Sequence, residues 1–433
     1  MMNNALHTAQ ILLPRQGVAP EQWAVVACDQ FTAQPDYWQK ADALVGEAPS
    51  ALRLILPEAW LEEREARIPA IHKAMAAYLA NGTLVTAVRD GFVLIERETA
   101  AGTRPGLVVA LDLEAYDFTP GSASLIRPTE GTVLERVPPR ARIRAGATVE
   151  LPHVMMLIDD PGCTVIEPLL KRRESLRPLY DFELMLGGGH LRGWAVEGSA
   201  TRGVVDAIDA LNAKADGLLY AVGDGNHSLA AARQCWLDLR DTLSPEARES
   251  HPARYALVEL VNLACPALVF EPIHRALFGV DPGAVMDACC EALRAGGAEL
   301  KEESRAPSAD APGPIAHEMG AGDDLVAFDG TGRTWRFRSA EHPLGGLQAF
   351  LDGWLAGHPE ARIDYIHGEA ALRSLVNRPD TLGFMPRAFD KGELFDAIRR
   401  HGVLPRKTFS MGEATEKRYY MEARRILKGQ IRI

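Results

Sequence analysis

Two spacings of apolar residues alternate along the chain. Between Glu58 and Leu79 the apolar positions Leu61, Ile68, Ile71, Met75 and Leu79 recur at helical intervals, and Asn81-Gly82 follows as a helix-ending pair. The first stretch, to about Ala80, therefore reads as loops and helices, with Leu52–Pro57 a short apolar run closed by proline. From Phe92 to Ile158 the texture turns to β: Phe92–Glu96, Leu107–Leu111, Thr132–Val137 and Val154–Ile158 are short, rich in Val, Ile and Leu, and bounded by Gly, Pro or Asp. Thr164 to Leu186 reads as mostly helical. Beyond it, His190–Val196 predicts a strand and Thr201–Ala213 a helix. Leu218–Val222 predicts a buried strand that runs through a glycine turn into a helix from about His227 to Leu239. Tyr255–Leu263 and Leu268–Phe270 read as further strands. This alternation predicts an α+β, or mixed α/β, fold.

Lys301–Asp324 differs from the rest, being rich in Ala, Pro, Gly, Glu and Asp and free of aromatic residues, which reads as a surface insertion or linker. Strands near Leu325–Phe328 and Thr334–Arg338 and a helix near Leu344–Leu355 follow it. The expected organisation is an N-terminal helical and loop region over 1–90, a core over 91–298, a flexible insertion over 299–324 and a C-terminal α/β region over 325–433.

Composition narrows the function class. Hydrophobic residues make up 47% and charged residues 24% of the 433, the mixture of a globular protein rather than a disordered one. Asp and Glu outnumber Lys and Arg by 58 to 47, a formal charge of −11, which argues against gripping a nucleic-acid backbone. The longest apolar runs, such as Val154–Ile158 and Leu218–Val222, are strand-sized, and Met1–Pro14 lacks the pattern of a secretory signal. The six cysteines are scattered, with only Cys289 and Cys290 adjacent, as in a reduced compartment. A cytoplasmic protein with no membrane partner is the expectation.

Candidate chemistry gathers at the turn Val222-Gly223-Asp224-Gly225-Asn226-His227-Ser228. Two glycines around an Asp let the backbone bend tightly and approach a ligand. The helix that follows offers unpaired N–H groups and a positive dipole end, a ready phosphate site. Neither G-x-x-x-x-G-K-[ST] nor G-x-G-x-x-G is present. Helix capping alone accounts for Asp224 or Asn226, but not for a histidine beside them. A second cluster, Arg127, Glu130 and Thr132 with Arg136 just beyond, crowds a proline-interrupted loop, where a carboxylate suits a general base and an arginine suits phosphate charge. Ordinary surface salt bridges account for it equally well. His274-Arg275, Asp364–His367, Gly187–His190 and Lys407–Ser410 each suit a structural role when taken singly. His153, Asp159, Asp160, His190, Asp224, His227 and His274 supply ligand types for a metal, but no H-E-x-x-H spacing joins them, and no G-x-S-x-G elbow appears.

Taken together, Trp23–Gln30, Arg127–Thr132, Leu157–Pro161, Val222–His227 and Pro272–Arg275 resemble, in order, the motifs of the bacterial and archaeal family called domain of unknown function 1015, well over about 22–278 and more loosely to the C-terminus. That family is similar to the archaeal free serine kinase, which phosphorylates L-serine with ADP as donor, and through it to the ParB/sulfiredoxin-like fold. There an Asp-Gly-His-His-Arg-like turn at a helix start binds nucleotide phosphates. The resemblance implies a ParB/sulfiredoxin-like nucleotide-binding core with extra N- and C-terminal α/β regions. It places Asp224, Gly225, Asn226 and His227 on that turn and Glu130 near the kinase's base. Asn226 stands where the motif has its first histidine and Ser228 where it has arginine, so the cation for the transferred group must come from elsewhere, Arg127 or Arg275.

The functional expectation is a kinase-like enzyme that uses ADP or ATP with Mg2+ to phosphorylate a small hydroxyl compound such as a free amino acid. In it Gly223, Gly225, Asn226, Ser228 and Thr132 hold phosphates, and His227 donates to a phosphoryl oxygen. Asp224 orients His227 or a metal, Glu130 takes the acceptor's proton, and Arg127, His274 and Arg275 neutralise charge. The alternatives are a non-catalytic nucleotide-binding regulatory module of ParB-like fold and a metal-dependent hydrolase.

Overall fold

A computed structural model describes residues 4–304, 322–339 and 342–427 of the chain. The segment read as an insertion therefore lies mostly outside the described residues, although its first residues complete a strand, Glu299–Ser304, paired with Arg333–Arg338. The fold is mixed α/β with more than one sheet. It divides into two units. One takes the chain up to Val269 with Ile398–Val403 and the stretch from Met411 onward; the other takes Phe270–Ala397 and Leu404–Ser410. The boundary falls inside the stretch read as a single core, and the far C-terminus returns to the first unit.

The first unit is built on a ten-stranded sheet. Its order runs Ile126–Pro128, Tyr220–Asp224, Met155–Ile158, Tyr255–Asn262, Gly102–Asp112, Leu84–Thr99, His190–Glu197, Arg177–Glu183. Leu6–His7 and Ala9–Pro14 pair onto Gly102–Asp112 and Leu84–Thr99. Side chains alternate between two buried faces: Val93, Ile95, Val108, Ala110 and Leu257 enter one core, and Phe92, Leu94, Leu107, Val109 and Val258 the other. Burial on both faces is why these strands read as continuous apolar runs rather than as an alternation. The first core is closed by the helices Pro35–Val45 and Arg64–Ala80, through Trp38, Ile71 and Met75. The second is closed by the helices Ser199–Asn212 and Asn226–Arg240, through Val204, Ile208, Leu229 and Trp236.

Three local expectations are corrected. The N-terminal stretch contains strands, since Ile11, Leu12 and Leu13 bury almost completely against Leu84–Thr99. Thr132–Val137 is not a strand: Val133 and Leu134 are exposed, and Pro138-Pro139 open a helix, Val137–Arg144, where missing N–H groups cost nothing. Most of Thr164–Leu186 is not helical. Only Glu167–Lys171 is α-helix, and Arg177–Glu183 is an edge strand that turns Tyr180 and Phe182 inward and tolerates Pro178.

The C-terminal segment threads back into the first unit. Tyr419–Tyr420 pairs with Val25–Val26, and Arg424–Arg425 with Val149–Glu150. Arg418, fully enclosed, bridges Glu259 at 2.7 Å and Glu422. In the second unit an antiparallel sheet runs Glu299–Ser304, Arg333–Arg338, Leu325–Asp329, Thr381–Pro386, Phe270–Phe278, Arg362–His367. The helices Pro282–Ala295 and Leu344–Gly357 cover one of its faces.

Candidate functional site

The strand Tyr220–Asp224 lies between Ile126–Pro128, parallel to it, and Met155–Ile158, antiparallel. Tyr220, Ala221 and Val222 are buried, which anchors the strand and leaves the half-buried Gly223 and Asp224 at its end. Gly225 then takes a left-handed conformation, φ +77°, and serves as the cap before the helix Asn226–Arg240. A Cβ on Gly225 would lie 3.0 Å from the Val154 Cα, a backbone atom that cannot swing aside. One at Gly223 would lie 2.7 Å from the Met411 methyl. Gly225 is therefore required by the bend itself, while a side chain at Gly223 would have to displace the Met411 side chain.

The side chains of the turn are spent on building it. The Asp224 carboxylate accepts the Gly225 N–H at 2.9 Å through Oδ1 and faces the Lys417 ammonium at 3.4 Å through Oδ2. Asn226 accepts the Tyr116 hydroxyl at 2.5 Å and donates to the Thr132 hydroxyl at 2.8 Å and the Glu130 carbonyl at 3.4 Å. His227 accepts the Val133 amide at Nε2, 3.1 Å away, which puts the proton of a neutral ring on Nδ1. Thr129 donates its N–H and its hydroxyl to the Val222 carbonyl at 3.2 and 2.9 Å. The loop 129–133 is thereby stitched to the strand end and the helix start, so Glu130 and Thr132 are brought to the turn. The Ser228 and Leu229 amides both donate to the Gly225 carbonyl, at 3.0 and 3.1 Å, and the Asn226 and His227 amides stand ahead of the first intrahelical acceptor.

Arg127, His274 and Arg275 behave differently. Arg127 donates to the Ser122 carbonyl at 3.3 Å, and burial together with the nearby Arg399 lowers its pKa, against the pull of Asp216; none of these neighbours belongs to the turn. His274 and Arg275 belong to the second unit. Burial pushes His274 down to about 4 despite the field of Glu369. Arg275 is fully enclosed, donating to the Lys407 and Arg406 carbonyls at 2.8 and 3.2 Å and to the Ile273 carbonyl, with Gln348 at 3.4 Å.

Residues given no phosphate-binding or proton-transfer role from sequence stand by the turn as well. Lys417, buried, brings the ammonium described above. Asp29, which follows the strand Val25–Val26, is half-buried. Burial pushes its pKa up, but His153, the Gln30 amide, Lys417 and Arg140 outweigh that and hold the carboxyl below its ordinary range. The Tyr420 hydroxyl accepts the Cys28 amide at 3.2 Å and meets His153 Nδ1 at 2.7 Å. Burial pushes the Cys28 thiol up to about 12, so it stays protonated. No periodicity links Asp29, His153 and Lys417. The sequence signals were the Trp23–Gln30 motif, which ends in Cys28-Asp29-Gln30, and His153 as a metal-ligand type, whereas Lys417 stands in no motif and precedes a strand pair too short to register as a pattern. Among the described residues no three His, Cys, Asp or Glu side chains are grouped as metal ligands, and no helix is long and apolar enough to cross a membrane.

Comparison with known proteins matches residues 12–341 to the family described as "Protein of unknown function (DUF1015)". No curated protein matches the chain. Similar solved structures include a conserved hypothetical protein from Pyrococcus furiosus, at 12% identity and TM-score 0.35, covering 72% of this chain and 90% of that one. A mutant free serine kinase in complex with AMP is similar at 12% identity and TM-score 0.40, covering 74% and 91%. SbnI with C-terminal truncation from Staphylococcus aureus is similar at 9% identity and TM-score 0.34, covering 75% and 84%.

Proposed function

We propose that this chain, which belongs to the DUF1015 family, is a nucleotide-dependent phosphotransferase that acts on a small hydroxyl compound, with the Gly223–Ser228 turn as its phosphate cradle. The observation that carries the reading is the division of labour at the turn. The side chains of Asn226 and His227 hold the loop that bears Glu130 against the helix start, whose positive dipole end favours an anion. The cation that Ser228 does not supply comes from Lys417, whose ammonium stands 3.4 Å from Asp224 in a position screened from solvent. Magnesium would arrive on the phosphates of ADP or ATP and neutralise part of their charge; Asp224, the carboxylate at the turn, already has a partner at each oxygen and would hold the ion only by giving one up.

Phosphoryl transfer asks the protein mainly to position its reactants and stabilise charge. The acceptor oxygen bonds to the terminal phosphorus, and the bond from that phosphorus to the bridging oxygen breaks. The electron pair leaves with the nucleotide, and the acceptor's proton passes to the Glu130 carboxylate. Gly225 brings the backbone close, the helix start and Lys417 meet the growing negative charge, and Thr132 fixes the loop through Asn226. Phosphorus NMR of the full chain with ADP or ATP and a panel of small hydroxyl compounds tests this. Transfer that Glu130→Gln abolishes, with nucleotide affinity kept, is expected. Nucleotide binding with no transfer to any acceptor would instead identify a binding module, the reading favoured by an imidazole already engaged with the Val133 amide.

A further inference from the structure

Within the first unit, beside the helix Asn226–Arg240, lies a cavity of about 140 Å³. Most of its wall is apolar, contributed by Leu54, Leu56, Met75, Ile143, Ala147 and Val149. Ser228 and Ala231 line it from the helix, but Glu130 and Lys417 do not, so it stands apart from the groups assigned to phosphoryl transfer.

The polar part of the wall is uneven. Among the described residues that line the cavity the one carboxylate is Glu150, and it is fully engaged. It receives Arg144 and Arg424, each at 2.6 Å, and the Leu257 amide at 2.9 Å. Arg140 pairs with Glu58 and donates to the Arg136 carbonyl at 2.8 Å. Arg144 reaches Glu150 through Nη1, while its Nη2 is buried with no hydrogen-bond partner among the described residues. His153, only 8% exposed, meets the Tyr420 hydroxyl through Nδ1 at 2.7 Å, and its Nε2 is likewise buried without a partner. A buried N–H without an acceptor carries a desolvation cost that an acceptor removes.

We propose that this cavity is a second ligand site, for a short branched aliphatic monocarboxylate whose oxygens accept from Arg144 Nη2 and His153 Nε2. The proposal stands independently of the phosphotransferase reading. A carboxylate gives the guanidinium a charge-assisted acceptor. It selects the imidazole tautomer with its hydrogen on Nε2, in which the Tyr420 hydroxyl donates to Nδ1. An apolar protein cavity of about 150 Å³ holds a benzene molecule, so an alkyl body of about four to six carbons suits the rest of the wall. An α-ammonium would lose water and meet no free carboxylate, since Glu150 is already engaged. Inorganic phosphate would bring more acceptor oxygens than two nitrogens satisfy, and nothing for the apolar wall.

Calorimetric titration of the full chain with 3-methylbutanoate, 3-methylbutan-1-ol, L-valine and inorganic phosphate, repeated with ADP present, tests it. The carboxylate is expected to bind at least about tenfold more tightly than the other three, and to keep binding when ADP is present. Arg144→Met, which leaves Glu150 its bond to Arg424, should remove the preference for the carboxylate over the alcohol. Binding of the alcohol, L-valine or phosphate as tight as that of the carboxylate overturns the assignment, and it is read on the unaltered chain whether or not the variant folds. No binding of the carboxylate, the result if water serves the two nitrogens, overturns it as well. So does complete displacement of the carboxylate by ADP, which would put it on the turn instead.

Discussion

Replacing Gly225 by alanine perturbs the turn with the least new chemistry. The residue sits at φ +77°, and its Cβ would come within 3.0 Å of the Val154 Cα and 3.1 Å of a Val154 methyl. The left-handed conformation costs a residue with a Cβ about 1–2 kcal/mol, and overpacking against an immovable backbone atom adds roughly 1–3 kcal/mol. Gly225→Ala should therefore destabilise the first unit by about 2–5 kcal/mol, or shift the turn by several tenths of an ångström to avoid that cost. Either outcome displaces the amides of Asn226 and His227. Gly131 is the matched control: it lies in the loop stitched to the turn, has no positive φ, and a Cβ there would meet nothing within 4 Å. Gly131→Ala should be neutral or stabilise by roughly 0.4–1 kcal/mol. Urea unfolding followed by tryptophan fluorescence, in a background with Trp335 and Trp354 of the second unit replaced by Phe, reports the first unit, with Trp236 on the helix itself. Equal midpoints for the two variants would refute the argument that the bend demands glycine.

Asn226→Ala should cost roughly 1–3 kcal/mol, because it removes the acceptor of the buried Tyr116 hydroxyl and frees Thr132; hydrogen exchange at the Val133 amide should accelerate, and unchanged protection there would show that the loop is held by other contacts. In the second unit, the His274 pKa is depressed to about 4, so above pH 6.5 the ring is neutral whether the unit is folded or not and its neutral burial is free of penalty. As pH falls from about 6.5 toward 4 only the unfolded chain takes up the proton, and up to about 3 kcal/mol of stability is lost across that window. His274→Gln should flatten the slope; an unchanged slope would assign it to other groups.

The strand-turn-helix unit was legible because three local signals coincide there: the apolar run Leu218–Val222, the glycines 223 and 225, and a helical spacing after them. The roles of its side chains were not. Whether Asn226 and His227 face a ligand or their own protein depends on where the loop 129–133 lies, which parallel pairing of two distant strands decides. Arg127 and Arg275 were candidates by residue type and by their place in the motifs Arg127–Thr132 and Pro272–Arg275, and the carbonyls they donate to lie outside the turn. Lys417 was illegible because nothing local distinguishes a surface lysine from one that a returning C-terminal segment inserts beside Asp224. Thr132–Val137 misled for a simpler reason, since an apolar composition was read as a strand where two prolines start a helix.

The most direct test of the phosphate cradle is calorimetric titration of the full chain with ADP, repeated for Lys417→Met and at raised salt. The account predicts saturable binding by the unaltered chain, weaker binding for the variant because one cation is gone from the turn, and weakening with salt. No binding heat at any temperature tried, or an affinity that neither the variant nor salt alters, would contradict it.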